Sequence, residues 1–181
     1  MNEPEFRQIA LSEYWADSQI KRIWLAQSVI DNIQHWTLQS LAEDPIPEVG
    51  GFVLGRYEEL TPQHFHVSLE VFVPAKEVAY NSPIELDFGP KAMMAIDQYR
   101  ERYPNLELIA WFHTHPGHTP YLSTMDLNIH EGFFTAPFHL AIVLDSRTVG
   151  FDTGFFSRKR DGQVNNKSLE SRWISWKSLS S

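Results

Sequence analysis

Apolar and polar positions alternate, or run together, in several short stretches of the chain, and these patterns predict strands. The run from Leu106 to Phe112 is almost entirely apolar, as expected of a buried strand. Residues 64–71 alternate between apolar and polar side chains, which is typical of a strand with one buried face. By the same patterns we predict strands at Gly51–Tyr57, Phe138–Asp145 and Val149–Arg158, and a short edge strand at Ile20–Leu25.

Other stretches carry apolar residues at intervals of three and four, the spacing of an amphipathic helix. The first runs from Ala26 to about Glu43 and ends where Pro45 interrupts it. The second spans about Pro90 to Tyr103, and a third is predicted from Thr124 to Phe134. Strands before, between and after helices indicate an α/β (α+β) domain with a mixed sheet and a helix on each side.

The length of 181 residues is typical of one domain with a full core. We expect that domain to span residues 19–166. Residues 1–18 are predicted to be an N-terminal extension, helical around Ser12–Trp15. Residues 167–181, with Trp173 and Trp176, are predicted to be a C-terminal tail that either packs back on the domain or frays.

Composition narrows the classes of function. The formal net charge of −8 argues against nucleic acid as the main partner. The chain has no Cys, so it has neither disulfides nor thiol chemistry. It contains no apolar run long enough to cross a membrane, and its first residues are acidic and polar where a signal peptide would be basic and then apolar. We therefore expect a cytoplasmic protein that binds no membrane.

The candidate chemistry lies directly after the apolar run at 106–112. Residues two apart on a strand point to the same side, so His113 and His115 present both imidazoles to one place. Pro116-Gly117 then turns the chain, and Asp126 lies in the first turn of the third predicted helix. Two His and one Asp are the three protein ligands of a catalytic zinc, which keeps its fourth position for water, whereas a structural zinc usually has four ligands.

The candidate residues also have ordinary structural alternatives. His113 and His115 would alternatively be core histidines, and Glu48 would be an ordinary loop carboxylate after Pro47. Asp126 or Ser123 would serve equally well as a helix cap. His64 and His66 have the same spacing on a strand but no acidic partner at a recognisable distance, so we expect them on a solvated face. His130, one turn beyond Asp126, would orient a metal ligand or, as the pattern favours, lie on the helix surface.

The motif resembles that of the JAMM (JAB/MPN-domain) zinc metalloproteases, in particular their prokaryotic stand-alone members. The resemblance rests on His-x-His-Pro at 113–116 and Ser-x-x-Asp at 123–126, with ten residues between His115 and Asp126. It also rests on Glu48 just before the glycine-rich apolar strand. It covers residues 25–145 and implies a single MPN-like domain, a curved mixed β-sheet sandwiched between helices. Thr114 stands where serine is common in the family, and we expect that difference to be harmless.

The family resemblance also implies roles. Zn²⁺ would be held by His113, His115 and Asp126, and would lower the pKa of a bound water to about 7. Glu48 would take the proton from that water and pass it to the leaving amine, and Ser123 would donate a hydrogen bond to the tetrahedral oxyanion. Tyr121 and Leu122 would line the substrate groove, and His118 would lie in the same loop.

Several substrates and partners remain open. The resemblance implies hydrolysis of an amide or isopeptide bond at the C-terminal tail of a ubiquitin-like protein, bound in extended form near residues 74–88 and 117–121. The alternatives are a peptidase for small or cell-wall peptides and a catalytically silent scaffold subunit. The resemblance also leaves open an activating protein partner or a homo-oligomer.

Overall fold

The computed structural model describes residues 5–9, 17–75, 90–164 and 173–180. Within these residues the chain forms strands and α-helices in the following order: β1 (Phe6–Ile9), β2 (Ile20–Ala26), α1 (Gln27–Ser40), β3 (Gly50–Thr61), β4 (His64–Pro74), α2 (Pro90–Arg102), β5 (Glu107–Thr114), α3 (Thr124–Phe133), β6 (Leu140–Asp145), β7 (Asp152–Phe156) and β8 (Ile174–Ser175). A 3-10 helix, Trp176–Leu179, follows β8. The predicted loop 74–88 and the helix predicted near Ser12 fall mainly outside the described residues.

All the described strands form one mixed sheet in the order β1-β2-β4-β3-β5-β6-β7-β8. The β2–β4 and β5–β6 pairs are parallel, and the other neighbouring pairs are antiparallel. The β3–β4 pair is closely packed at Gly51, where an added Cβ would collide with the carbonyl oxygen of Val73. That close approach explains glycine at this position of β3.

Side chains alternate between the two faces of the central strands, and each face has its own core. On β5, Ala110 and Phe112 face the core that contains α1, whereas Trp111 faces the core that contains Ile96 of α2 and Phe134 at the end of α3. The sheet is therefore covered by α1 on one side and by α2 and α3 on the other. The prediction of a single mixed sheet sandwiched between helices is confirmed.

The edge strand predicted at Ile20–Leu25 is wrong in its position within the sheet. The strand exists as β2, but it lies between β1 and β4. The pairing of Phe6 with Ala26 and of Ile9 with Ile23 places β1, from the predicted N-terminal extension, at the sheet edge. Four residues without clear periodicity carry little signal for a strand, so the pattern along the chain does not reveal it.

The predicted C-terminal tail packs back on the domain at Trp176. This side chain is fully buried, stacks on Phe155, and donates from Nε1 to the carbonyl oxygen of Ile30 on α1 at 3.1 Å. Among the described residues, no helix is both long enough and apolar enough to span a lipid bilayer.

Candidate metal centre

His113 and His115 meet at the end of β5, where the strand leaves the sheet. Their Nε2 atoms are 3.0 Å apart. The backbone of His115 is held by a hydrogen bond to the carbonyl oxygen of Leu144 on the parallel strand β6, at 2.8 Å. The same-side placement predicted from the spacing is therefore present.

Asp126 joins the two histidines from the first turn of α3. Its Oδ1 lies 3.3 Å from His113 Nε2, and its Oδ2 lies 3.6 Å from His115 Nε2. The three residues are 0%, 5% and 6% exposed for His113, His115 and Asp126. A buried carboxylate between two imidazoles is thus the centre of the site.

Asp126 also takes part in capping α3, in addition to its place in the cluster. Ser123 is the N-cap of α3, and its Oγ accepts a hydrogen bond from Asp126 N at 3.2 Å. In return Asp126 Oδ2 accepts from Ser123 N at 2.7 Å. This reciprocal capping box fixes the carboxylate at the helix terminus, so the same two bonds that start the helix aim Asp126 at the histidines.

The electrostatics of the cluster favour a charged Asp126 carboxylate facing a neutral His113 imidazole. Burial alone acts to raise the pKa of Asp126, but hydrogen bonds to His113 and His115 outweigh it and hold the pKa well below its usual range. Burial also lowers the pKa of His113, despite the nearby Asp126 carboxylate. Deprotonated carboxylate and neutral imidazole are the forms that bind metals.

The donor atoms fit a metal ion. Ligands about 2.0–2.1 Å from a tetrahedral metal are about 3.3 Å from one another. The closest approaches among the three residues are 3.0, 3.3 and 3.6 Å, although the two distances to Asp126 use different carboxylate oxygens. One ligand atom from each of His113, His115 and Asp126 can be chosen so that all lie within 4.8 Å of one another. These three residues are thus able to hold one ion.

Glu48 lies near this cluster, two residues before β3 begins. Burial raises its pKa to about 7, while the electrostatic interaction with His115 acts to lower the pKa and that with the Asp126 carboxylate acts to raise it. The segment is tied to β5 because Thr114 N donates to Val49 O at 2.9 Å and Val49 N donates to Thr114 Oγ1 at 2.9 Å. A carboxylate whose pKa is near neutral is suited to accept and release a proton.

The loop that follows the histidines forms one rim of the site. Gly117 has a φ of +82°, and its N–H donates to Asp145 Oδ1 at the end of β6, at 2.9 Å. The ring of Tyr121 lies 4.9 Å from that of His115 and is 42% exposed. His118 is exposed as well. The prediction that Leu122 lines the groove is wrong, because Leu122 is buried in the core between α3 and the sheet.

The prediction that His130 lies on the helix surface is also wrong. His130 is fully buried, and its Nδ1 accepts a hydrogen bond from Trp111 Nε1 at 3.0 Å. Its position one turn after Asp126 was the signal, since residues four apart share one face of a helix. Neither His64 nor His66 belongs to a potential metal group among the described residues.

Sequence reasoning identified the three residues of the cluster but missed those that hold them. Thr114 fixes the Glu48 segment, Trp111 stacks on His113, and Asp145 anchors the loop at Gly117. For Trp111 the signal was its position two residues before His113, on the same side of the strand.

Comparison with known families finds a match to the model described as prokaryotic homologs of the JAB domain, over residues 32–153. Among solved structures, the chain is similar to the solution structure of a protein from Desulfitobacterium hafniense, with a TM-score of 0.60 and 17% sequence identity. That match covers 82% of this chain and 90% of the other. At this identity it shows a shared fold.

A second solution structure, of a protein from Salinibacter ruber, matches with a TM-score of 0.44 and 16% identity, covering 80% of this chain and 88% of the other. A comparison with curated proteins finds no match.

Proposed function

We propose that this chain, which belongs to the family of prokaryotic homologues of the JAB domain, is a zinc-dependent metallopeptidase. The bond cleaved is an amide or isopeptide bond at the C-terminal tail of a ubiquitin-like protein. One observation carries this proposal: His113, His115 and Asp126 converge in a buried cluster. Glu48, with a pKa near 7, lies beside them.

Three histidine and carboxylate ligands without Cys favour an open, catalytic zinc site over a structural one. When bound, zinc supplies a Lewis acid and a water acidified to a pKa of about 7. His113, His115 and Asp126 would hold the ion through imidazole nitrogen and carboxylate oxygen atoms. Burial already favours the neutral form of His113, and hydrogen bonds to the histidines favour the charged form of Asp126.

Glu48 is the proton carrier in this proposal. With a pKa near 7, its carboxylate takes a proton from the attacking water and its acid form gives that proton to the leaving amine. Ser123 Oγ accepts from the backbone of Asp126, so its own hydroxyl hydrogen remains available to an oxyanion. An oxyanion donor of this kind contributes about 3–4 kcal/mol to catalysis.

The burial of the cluster supports a slender substrate. With His113 and His115 almost inaccessible, the reacting bond reaches the donor atoms on a chain segment that has small side chains. The glycine-ended tail of a ubiquitin-like protein meets this requirement. Tyr121 would contact the backbone of such a tail, because its exposed ring lies beside His115.

The metal is tested first. Protein purified without chelator is compared with the His113→Ala and Glu48→Gln variants by elemental analysis. We expect about one zinc per chain in the wild type and in Glu48→Gln, and little in His113→Ala. His64→Ala is the matched control, because His64 has the same spacing to a second histidine on a strand but lies outside the cluster. A wild type that takes up no zinc, even after metal is added, would contradict the proposal.

The activity is tested with ubiquitin-like proteins that carry a C-terminal peptide or an isopeptide-linked lysine. We expect cleavage after the terminal glycine, abolished in Glu48→Gln although its zinc is retained. Cleavage of short peptides alone would replace the ubiquitin-like substrate by a small-peptide substrate. Full zinc content without any cleavage would argue against the hydrolase and in favour of a scaffold.

A further inference from the structure

A second layer of buried polar side chains lies directly beneath the candidate metal centre. Trp111 and His130 are both fully buried, and Trp111 Nε1 donates to His130 Nδ1 at 3.0 Å. An imidazole nitrogen that accepts a hydrogen bond carries no proton, so His130 is the neutral tautomer with its hydrogen on Nε2. This pair connects a strand and a helix through one hydrogen bond.

The two connected elements are those that carry the metal-binding residues. Trp111 precedes His113 by two residues on the same side of β5, and His130 follows Asp126 by four residues on the same face of α3. The Trp111–His130 hydrogen bond therefore repeats, one layer deeper, the contact between His113 and Asp126. This hydrogen bond fixes the separation of β5 and α3, and that separation sets the distance between the ligand atoms of His113 and Asp126.

Trp111 also holds the ring of His113 directly. The two rings are stacked, with centroids 4.7 Å apart and planes inclined by 5°. A metal-binding histidine is usually oriented by a hydrogen bond from its second ring nitrogen. Among the residues that the structure describes, His113 Nδ1 has no such partner. Stacking on Trp111 thus takes over the orientation of this imidazole.

The far side of the pair is equally constrained. The ring of Phe134 stacks on those of Trp111 and His130, at centroid distances of 5.7 and 5.8 Å. Arg158 Nη2 donates to the carbonyl oxygens of His130 and Phe134 at 3.3 and 3.2 Å, which satisfies the end of α3. Contacts with Phe134 and Arg158 therefore hold Trp111 and His130 in place, in addition to the hydrogen bond between these two residues.

A purely structural role explains this layer less well. His130 Nε2 is buried and has no hydrogen-bond partner within the described part of the chain. A buried donor left unpaired destabilises a fold, and an apolar side chain of similar size would avoid that loss. A histidine at this position is explained if its Nδ1 is needed as a hydrogen-bond acceptor. The only hydrogen bond described for that atom is the one from Trp111.

We propose that Trp111 and His130 are positioning residues of the metal centre. Trp111 orients His113 by stacking, and His130 locks Trp111 and, through it, the spacing between β5 and α3. This inference rests on the proposed metal site but adds two residues that do not touch the metal. Removing the hydrogen bond should weaken metal binding by about 10- to 100-fold, the usual effect of losing a partner behind a ligand.

The test measures zinc affinity by competition with a chromophoric chelator, in the whole protein. Trp111→Phe keeps an aromatic ring against His113 but removes the N–H donor, and His130→Leu removes the acceptor. His130→Asn is the rescue variant, because its side-chain oxygen can lie near the place of Nδ1. We expect the first two variants to bind zinc about 10- to 100-fold more weakly and His130→Asn to stay within about threefold of the wild type.

Trp176→Phe is the matched control. It also removes a fully buried indole donor, whose bond to Ile30 lies in the core on the α1 side of the sheet. We expect it to lower the melting temperature of the metal-free protein without changing zinc affinity. The visible spectrum of the cobalt-loaded protein gives a second readout: its ligand-field bands should shift in Trp111→Phe and stay unchanged in Trp176→Phe.

The outcomes separate the two proposals. If the wild type binds zinc and Trp111→Phe and His130→Leu lower only the melting temperature, with zinc affinity equal to that of the wild type, the positioning role is overturned and the metal site stands. If the wild type binds neither zinc nor cobalt, the metal site itself fails. If His130→Leu does not fold, Trp111→Phe and His130→Asn still decide the question.

Discussion

Thr114 and Val49 exchange two hydrogen bonds at the edge of the candidate site. Thr114 N donates to Val49 O, and Val49 N donates to Thr114 Oγ1, each at 2.9 Å. Thr114 lies between the two histidines, and Val49 follows Glu48. One side chain therefore sets the position of the proposed proton carrier relative to the proposed ligands, which explains a hydroxyl-bearing residue at this fully buried place.

We predict that Thr114→Val separates metal binding from activity. The change keeps the shape but leaves Val49 N without its acceptor, which costs about 1–3 kcal/mol of unfolding free energy. Zinc affinity should stay within about threefold of the wild type, whereas displacement of Glu48 should lower kcat/KM about tenfold or more. Thr114→Ser should behave as the wild type. Equal activity in Thr114→Val would show that this hydroxyl does not position Glu48.

Glu48 should destabilise the metal-free protein at alkaline pH. Its folded-state pKa of about 7 lies above the ordinary value of 4.5, so the folded state binds the proton more tightly than the unfolded state. The free energy of unfolding therefore falls as pH rises through this window. We expect Glu48→Gln, which cannot ionise, to melt at a higher temperature than the wild type at pH 8, with a smaller gain at pH 5.

Thermal unfolding of chelator-treated protein checks this prediction. Glu59→Gln, which alters an exposed carboxylate far along β3, is the control and should leave the melting temperature unchanged at both pH values. If Glu48→Gln is no more stable than the wild type at pH 8, burial does not raise the pKa of Glu48.

His130 should make the metal-free protein sensitive to mild acid. Burial, with smaller contributions from the charges of Arg158 and His139, lowers the pKa of His130 to about 3. The unfolded state then binds more protons between about pH 6.5 and pH 3, so stability is complete above 6.5 and is lost as pH falls. Burial lowers the pKa of His113 as well, and its contribution has the same sign.

The contribution of His130 is measured by urea unfolding at pH 7.5 and pH 4.5. Two pH units below 6.5 correspond to at most about 2.7 kcal/mol for one such group. We expect the wild type to lose more unfolding free energy between these pH values than His130→Asn, by up to that amount. The remaining loss in His130→Asn includes the contributions of His113 and His139, because burial lowers the pKa of each. Identical pH dependence of the two proteins would exclude His130 as the acid-sensitive group.

Trp176 should contribute to stability as a core residue although it lies near the C-terminus. It is fully buried and bonded to Ile30, so Trp176→Ala should lower the free energy of unfolding by about 3–5 kcal/mol. Urea unfolding measures this change. Leu38→Ala, on the exposed side of α1, is the control and should change stability by no more than about 0.5 kcal/mol. A small effect of Trp176→Ala would mean that the C-terminal segment frays.

The parts of the site that follow from local geometry could be predicted from the sequence. Strand geometry alone puts His113 and His115 on one side, and the next helix follows its N-cap Ser123 with Asp126 in the first turn. Glu48 was reached only through the family resemblance. Its segment meets β5 through the contact between Val49 and Thr114, which are 65 positions apart, and no local pattern encodes such a contact.

Two of the errors, those on His130 and on β2, have the same origin. The sequence pattern predicts His130 on the helix surface because a polar residue at a helical position is usually exposed. Its burial depends on Trp111 offering an N–H from another element. Similarly, the sequence pattern predicts β2 at the sheet edge because it does not reveal the outer neighbour β1, a four-residue strand whose pairing decides its structure. Tertiary partners, which the pattern along one segment does not show, decided both cases.

The distribution of the site along the chain has a practical consequence for preparing the protein. His113, His115 and Asp126 lie within one strand–loop–helix unit. Glu48 reaches the site only when Val49 contacts Thr114, which is 65 positions away along the chain. Loop closure on that scale is an entropic cost that the short unit does not bear. The zinc content of a preparation therefore reports only that the strand–loop–helix unit is formed. Catalytic turnover also requires Glu48 to be in place. The concentration of active sites should therefore be determined from turnover and not from bound metal.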